Sequence, residues 1–201
     1  AKQAALAAGL PTNIPTTTIN KVCASGMKSM MIGAQTIALG DNDVVVAGGM
    51  ESMSNAPFML DRARYGYGYG DNKIYDAISR DALQDPYQKY MMGNAGEICA
   101  KEYNFTREQQ DEYAIESYKR AEKAYAEGLF DDELVTVEIP QRKGDPVKFD
   151  KDEEVDRVRY DKITQLRPAF DKLGTITAAN ASKINDGAAA VVLMSKEKVD
   201  E

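Results

Sequence analysis

Apolar residues follow two different spacings along the chain, and each spacing predicts a type of element. The β-branched run at residues 16–19 favours a short strand. Over residues 27–38, apolar side chains recur every three or four positions until Gly40, which predicts a buried helix. Residues 43–49 form an apolar run ended by paired glycines, typical of a strand buried on both faces of a sheet. A helix followed by such a strand indicates a layered α/β fold.

The composition of the chain changes between about residue 61 and residue 172. Charged residues and tyrosines become more frequent there, and the apolar runs become short. We interpret residues 61–172 as a subdomain inserted into a core that residues 1–60 begin and residues 173–201 complete. In the last segment, residues 175–178 and 188–194 are predicted to form two buried strands on either side of a polar loop.

Two helices are predicted within the inserted segment. Residues 91–100 form the shorter one, in which Cys99 is expected to fill the core. The second has the clearest pattern in the chain, because Thr106 and Gln109 form a capping box and Gly128 ends the periodic run. Its inner face is expected to carry Ile115, Tyr118, Ala121 and Tyr125.

Two further stretches of this segment predict extended or turn structure. Residues 134–139 alternate between apolar and polar side chains, which predicts a strand. Tyrosine and glycine alternate over residues 65–70, but no apolar helix follows them as it does in nucleotide-binding loops. We therefore expect an aromatic turn or hairpin at this repeat.

Cys23 lies between the first predicted strand and the first predicted helix. Backbone N–H groups and the dipole at the start of a helix lower the pKa of a thiol from its ordinary value of about 8.5. A thiolate is the better nucleophile, so this position suits covalent catalysis. Free cysteine also packs commonly as a small buried hydrophobe. Position alone leaves both interpretations open.

Overall composition narrows the class of protein. The chain has 201 residues, 43% of them hydrophobic, which fits one globular domain or part of a larger protein. A net charge of −7 argues against nucleic acid as a partner, although the locally basic residues 157–172 suit a phosphorylated ligand. No apolar run reaches the roughly 18 residues that span a bilayer, so no membrane partner is expected.

The two cysteines and the first residue of the chain bear on where the protein works. Cys23 and Cys99 lie in different contexts, which indicates reduced thiols in an intracellular compartment, cytoplasmic or mitochondrial. The chain opens on Ala1 within a helix-like run, so we expect its true start to lie upstream.

Three runs along the chain resemble motifs of the thiolase family. Residues 20–28 read Asn-Lys-Val-Cys-Ala-Ser-Gly-Met-Lys, similar to the nucleophile motif of that family. Residues 48–54 and residues 177–189 resemble two further thiolase runs, and all three occur in the expected order. The match is to the acetoacetyl-CoA branch and covers about the first half of a family member.

The resemblance implies a fold and a reaction. The fold is the thiolase fold, a layered αβαβα arrangement with two similar halves, of which this chain would hold the first with its inserted α+β loop subdomain. Cys23 would take an acyl group from a coenzyme A (CoA) thioester. The reaction would condense two acetyl-CoA to acetoacetyl-CoA, or run thiolysis in reverse.

Ligand and partner residues also follow from the resemblance. Ser182 would contact the pantetheine arm of CoA, Arg157 its nucleotide end, and Met92 and Phe170 would line the acyl pocket. A potassium ion would bind at Tyr118, Ala178, Ala179 and Ala181; no other cofactor is implied. The partners would be acyl-CoA, CoA and further copies of the chain in a dimer or tetramer, assembled through the loop that contains the tyrosine repeat.

Two alternatives remain beside this reaction. Many biosynthetic members have histidine where this chain has Met91, which favours a degradative 3-ketoacyl-CoA thiolase. The chain contains no histidine at all, whereas the family draws its general base and a second acid/base cysteine from its second half. A catalytically incomplete CoA-binding fragment is therefore the other alternative, and we expect residues 1–201 alone to be inactive.

Overall fold

A computed structural model describes all residues, 1–201, and divides them into two compact units. The first unit comprises residues 1–82 and 184–201, and the second comprises residues 83–183. These divisions fall later in the chain than the limits expected after residues 60 and 172. The assignment of a core and an inserted CoA-binding part to the three predicted segments stays a prediction.

The first unit contains three helices, short helical turns and two pairs of strands. In chain order its regular elements are α1 (Lys2–Ala7), α2 (Ser25–Ala38), β1 (Val44–Ser52), β2 (Phe58–Leu60), β3 (Ile74–Asp76), β6 (Asp186–Met194) and α7 (Lys196–Asp200). Short 3₁₀ turns lie at Met53–Asn55 and Ala63–Tyr65, and a π-helical turn at Ile78–Leu83 reaches the border of the unit. None of the helices of the chain is both long and apolar enough to cross a membrane.

Strands β1 and β6 pair antiparallel along their whole lengths. Val44 lies opposite Met194 and Ser52 opposite Asp186, so residues far apart in sequence meet at both ends. Helix α2 packs on this pair at Gly33, where a Cβ atom would lie 3.0 Å from Cδ1 of Leu193. The predicted helix and the two predicted strands are therefore confirmed as elements.

The predicted burial of these elements is wrong. Gly33 is the single buried residue of α2, and Ala47 that of β1, whereas strand β6 at residues 188–194 has none. Met27 and Val46, both expected inside, are exposed. The spacing of apolar side chains predicts the type of each element. It does not predict burial, because only one helix and one strand of this unit are available to cover β1.

The strand predicted at residues 16–19 is also wrong. These residues have no regular structure, because no neighbouring strand takes up their backbone hydrogen bonds. The hairpin predicted around the tyrosine repeat is confirmed. Strands β2 and β3 pair antiparallel, and the connection between them carries the exposed side chains of Tyr65, Tyr67 and Tyr69.

The second unit is built mainly on one long helix. Its elements are α3 (Met92–Glu102), α4 (Arg107–Ala126), β4 (Val137–Ile139), β5 (Val147–Phe149), α5 (Glu153–Arg157) and α6 (Tyr160–Ile163). The capping box of α4 is confirmed: Thr106 Oγ1 accepts from the Gln109 N–H at 3.2 Å, and Gln109 Oε1 accepts from the Thr106 N–H at 2.9 Å. Gly128 follows the helix with φ +66°. The predicted strand at residues 134–139 is confirmed over Val137–Ile139.

A polar cluster lies on the inner face of α4. Asp111 is 2% exposed and accepts from Arg107 Nε at 2.7 Å and from Asn180 Nδ2 at 2.9 Å. Arg107 also donates from Nη2 to the carbonyls of Ile163 and Leu166, both at 3.0 Å. Because every charged group in the cluster has a partner, the cluster can be buried and joins α4 to two later segments.

The strand predicted at residues 175–178 is wrong. The carboxylate of Glu97 accepts from the backbone N–H groups of Thr175 and Ile176, at 2.8 Å in each case, and so takes the place of a neighbouring strand. A Cβ atom on Gly174 would overlap this carboxylate, which explains the glycine. Cys99, expected in the core, is exposed because α3 buries the next residue, Ala100, instead.

Candidate active site

Cys23 is an exposed thiol directly before the N-cap of α2, which is Ala24. The residue before it, Val22, has φ +52°. The left-handed region is unfavourable for a β-branched residue, and such outliers concentrate at functional sites. A locally strained turn therefore presents the thiol at the start of a 14-residue helix.

Two neighbouring side chains hold this turn in place. Asn20 Oδ1 accepts from the Val22 N–H at 2.8 Å. Ser25 Oγ donates to the Val22 carbonyl at 2.6 Å and accepts from the Lys21 N–H at 2.8 Å. The sequence does not indicate the strain at Val22. It does indicate a local turn, because Asn and Ser side chains at these spacings commonly form hydrogen bonds with the nearby backbone.

Glycines in α2 and in β1 allow the start of the helix to approach the strand closely. A Cβ atom on Gly49 would lie 3.2 Å from Cα of Gly26, and one on Gly48 would overlap the carbonyl of Ala189. Ser29 Oγ adds a hydrogen bond from the Gly48 N–H at 3.0 Å. The start of α2, which follows Cys23, is thus held against β1 by contact between backbones and by one side-chain hydrogen bond.

The two distant runs of the first unit meet at the end of this strand pair. The Ser54 N–H donates to Asp186 Oδ1 at 2.9 Å, and the Ser54 hydroxyl donates to Oδ2 of the same carboxylate. These hydrogen bonds from Ser54 lower the pKa of Asp186. Residues 48–54 and Asp186 are therefore held together at this end of the strand pair.

Among the remaining candidates, Phe170 lies against Gly93, the residue that follows Met92. A Cβ atom on Gly93, next to Met92, would overlap the ring of Phe170, so the ring lies on the first turn of α3. Asn94 Nδ2 donates to the Phe170 carbonyl at 3.4 Å. Both side chains are exposed on this surface of the second unit.

Arg157 and Ser182 are exposed polar residues of the second unit. Arg157 is the last residue of α5, and its Nη1 donates to Glu153 at 2.7 Å, which leaves other guanidinium donors accessible. An open hollow of about 560 Å³ is lined by both chain neighbours of Arg157 but not by Arg157 itself. It is lined by Glu122, Tyr125, Ala126, Lys151, Val155, Asp156 and Val158. The sequence did not indicate this hollow.

The predicted potassium ligands all lie in the second unit, but one of them is already in contact with a cation. Lys183 Nζ donates to the carbonyl oxygen of Ala178 at 2.6 Å. An ammonium at this distance repels a second positive charge, so the Ala178 carbonyl does not fit a free potassium ion while Lys183 occupies it. The potassium site at Tyr118, Ala178, Ala179 and Ala181 stays a prediction. No group of three or more His, Cys, Asp or Glu side chains in the chain is placed to hold a metal.

Comparison with known proteins identifies the family. The family model described as thiolase, N-terminal domain, matches residues 1–197. The acetyl-CoA acetyltransferase of Cupriavidus necator is 54% identical over 100% of this chain and 51% of its own length. The chain therefore spans about half the length of the curated relatives that it matches.

Two solved structures agree with this result. The Acat5 thiolase from Ascaris suum, in complex with coenzyme A, superimposes with a TM-score of 0.89 at 48% identity, over 99% of this chain and 50% of that one. The acetyl-CoA acetyltransferase of Bacillus anthracis gives 0.92 at 43% identity, with the same coverage of 99% and 50%. The chain belongs to the thiolase family and has the α/β thiolase fold of its N-terminal domain.

Proposed function

We propose that this chain carries the nucleophile of an acetyl-CoA C-acetyltransferase, which joins two acetyl-CoA to acetoacetyl-CoA or runs the reverse thiolysis. The observation that carries the proposal is the exposed Cys23 thiol at the start of α2, behind the strained turn at Val22. The similarity to acetyl-CoA acetyltransferases over the whole chain supports the substrate class.

The first step transfers an acetyl group to Cys23. The sulfur of Cys23 attacks the thioester carbon of acetyl-CoA, a new C–S bond forms, and the bond to the sulfur of CoA breaks. CoA leaves with the proton that the thiol of Cys23 gives up.

The second step forms the carbon–carbon bond. A base takes a proton from the methyl group of a second acetyl-CoA, and this carbon attacks the acetyl carbonyl on Cys23. The C–S bond to Cys23 breaks, acetoacetyl-CoA leaves, and the thiolate is restored. No histidine is present among the 201 residues, so the resemblance assigns the base to the other half of a thiolase.

CoA would be held by the second unit. Ser182 would hydrogen bond the pantetheine arm, Arg157 would pair with a phosphate, and Met92 with Phe170 would contact the acyl group. The exposed hydroxyl, the free guanidinium donors and the packing of Phe170 beside Met92 support these roles. The exposed tyrosines of the β2–β3 hairpin support an oligomer contact there, and the two free thiols support an intracellular location.

The test uses the full-length protein and a matched pair of variants. Both cysteines are exposed, so Cys99→Ser is the control for Cys23→Ser. After incubation with acetyl-CoA, peptide mass spectrometry should find one acetyl group on Cys23 in the wild type and in the Cys99→Ser variant. Acetoacetyl-CoA thiolysis should be lost only in the Cys23→Ser variant. Turnover that survives the loss of Cys23 would contradict the proposal.

A degradative 3-ketoacyl-CoA thiolase is the second candidate, and Met91 is the residue that favours it. Met91 is half-buried and precedes α3, where its N–H donates to Asn94 Oδ1 at 3.1 Å. An apolar side chain here suits a longer acyl chain. Thiolysis of acetoacetyl-CoA should exceed that of a long-chain 3-ketoacyl-CoA; the opposite order would favour this second candidate.

A further inference from the structure

The side chain of Lys183 joins two segments of the second unit. Its Nζ donates to the carbonyl of Ala178 at 2.6 Å and lies 3.7 Å from Oε2 of Glu154. Lys183 directly follows Ser182, and Glu154 lies in α5, the helix that ends at Arg157. The ammonium thus connects the two segments that carry the proposed CoA contacts.

The surroundings of Lys183 strengthen this connection. The side chains of Lys183 and Glu154 are only 32% and 28% exposed, so water screens their attraction less than in an open surface pair. Lys123 and Glu127 have the same separation of 3.7 Å, but the side chain of Lys123 is 72% exposed. An ammonium that also donates to a carbonyl makes a charge-assisted hydrogen bond, which is stronger than a neutral one.

The other end of the Ser182 segment is fixed independently. Asn180 Oδ1 accepts from the Thr177 N–H at 2.7 Å, and its Nδ2 donates to the buried Asp111 at 2.9 Å. The Ala181 N–H donates to the Thr177 carbonyl at 3.0 Å. Ser182 itself makes no such hydrogen bond. The hydrogen bond from Lys183 to the Ala178 carbonyl therefore joins the two ends of the segment that contains Ser182.

We propose that Lys183 is a positioning residue whose tethered ammonium takes the place of a free alkali-metal ion at the Ala178 carbonyl and holds the Ser182 segment to α5. An ammonium is a compact point charge that can satisfy a carbonyl and a carboxylate together. The protein then needs no potassium ion at this position. The part of the proposal that concerns CoA rests on the proposed function, whereas the part that concerns the cation does not.

The first experiment tests the cation and requires no substrate. Thermal unfolding of the full-length wild type should have the same midpoint in potassium chloride and in sodium chloride of equal concentration. The Lys183→Ala variant should melt lower in both salts, and about 2 °C higher in potassium than in sodium, because a free ion can now bind the vacated carbonyl. Lys123→Ala is the matched control and should show no difference between the salts.

Either of two results would overturn the cation role. One is a wild type that gains as much from potassium as the Lys183→Ala variant does. The other is a Lys183→Ala variant that responds equally to both salts.

The second experiment tests the positioning of the CoA contacts. Lys183→Ala and Glu154→Gln should each raise the KM for CoA in thiolysis about tenfold, the effect of losing one charged contact of the tether, with kcat within about twofold of the wild type. Lys183→Arg, which keeps the charge, should recover part of the loss. An unchanged KM, or a fall in kcat alone, would overturn the positioning role.

A failure of the proposed function can be recognised separately. If calorimetry finds no binding of CoA to the wild type, the proposed function and the positioning role are both overturned. The melting midpoints in the two salts still decide the role of Lys183 as a tethered cation.

Discussion

Helix α4 carries two arginine–carboxylate ion pairs of the same spacing and different burial, which allows a comparison of their effects. Arg107–Asp111 and Arg120–Glu116 are both separated by four residues, with N–O distances of 2.7 and 2.8 Å. The side chains of the first pair are 20% and 3% exposed, and those of the second 75% and 55%. Removing the carboxylate from each pair therefore tests the loss of an arginine–carboxylate pair in a buried and in an exposed environment.

The Asp111→Ala variant should lose about 3 kcal/mol of unfolding free energy. Truncation leaves the charge of Arg107 buried without its carboxylate, and breaking a buried pair in this way costs about 3–5 kcal/mol. The low end applies because Arg107 keeps its hydrogen bonds to the carbonyls of Ile163 and Leu166. Asn180 likewise keeps a bond from Nδ2 to the Thr175 carbonyl at 3.1 Å. The Glu116→Ala variant should lose only about 0–1 kcal/mol.

The measurement is chemical denaturation of the full-length protein, followed by circular dichroism, with the midpoint and the slope compared among the three proteins. Asp111→Asn keeps the shape of the side chain without its charge and should fall between the two alanine variants. Equal losses in Asp111→Ala and Glu116→Ala would refute the inference that burial decides the strength of these pairs.

Three further outcomes follow from single residues. Burial raises the pKa of Tyr160 to about 12, so the folded protein should lose stability as pH rises from about 10 to 12. Tyr160→Phe should remove this part of the loss, which denaturation midpoints measured across that pH range would show. Val22→Gly should leave the melting midpoint unchanged or raise it, because glycine adopts φ +52° without strain, and a lowered midpoint would contradict this. Gly93→Ala should destabilise by about 1–3 kcal/mol through overlap with the ring of Phe170, whereas Gly68→Ala, with open space around it, should not; calorimetric unfolding compares the two.

The features that the sequence predicted well depend on neighbours in the chain. The capping box at Thr106, the end of α4 before Gly128 and the tyrosine hairpin each arise within a few residues, so local rules were sufficient. The family motifs identified the thiol and the fold for a different reason, since a specific run of residues carries information that periodicity does not.

The features that the sequence did not predict depend on residues far apart. The exposure of Met27 and of Cys99 depends on which elements cover them, and periodicity does not contain this information. The contacts of Glu97 with Thr175 and of Lys183 with Glu154 join segments separated by loops, so no spacing rule indicates them. The strain at Val22 is likewise invisible in the identity of the residue.

The backbone contact between Gly26 and Gly49 sets the distance between the start of α2 and β1 without any side chain. Rotamer changes cannot loosen the contact between Gly26 and Gly49, because neither residue has a side chain, so side-chain motion does not alter the spacing of α2 and β1 at this point. A single methyl group at Gly49 would push the start of α2 outward by a few tenths of an ångström and carry the sulfur with it. The placement of the helix that follows the nucleophile thus depends on two residues that have no side chain.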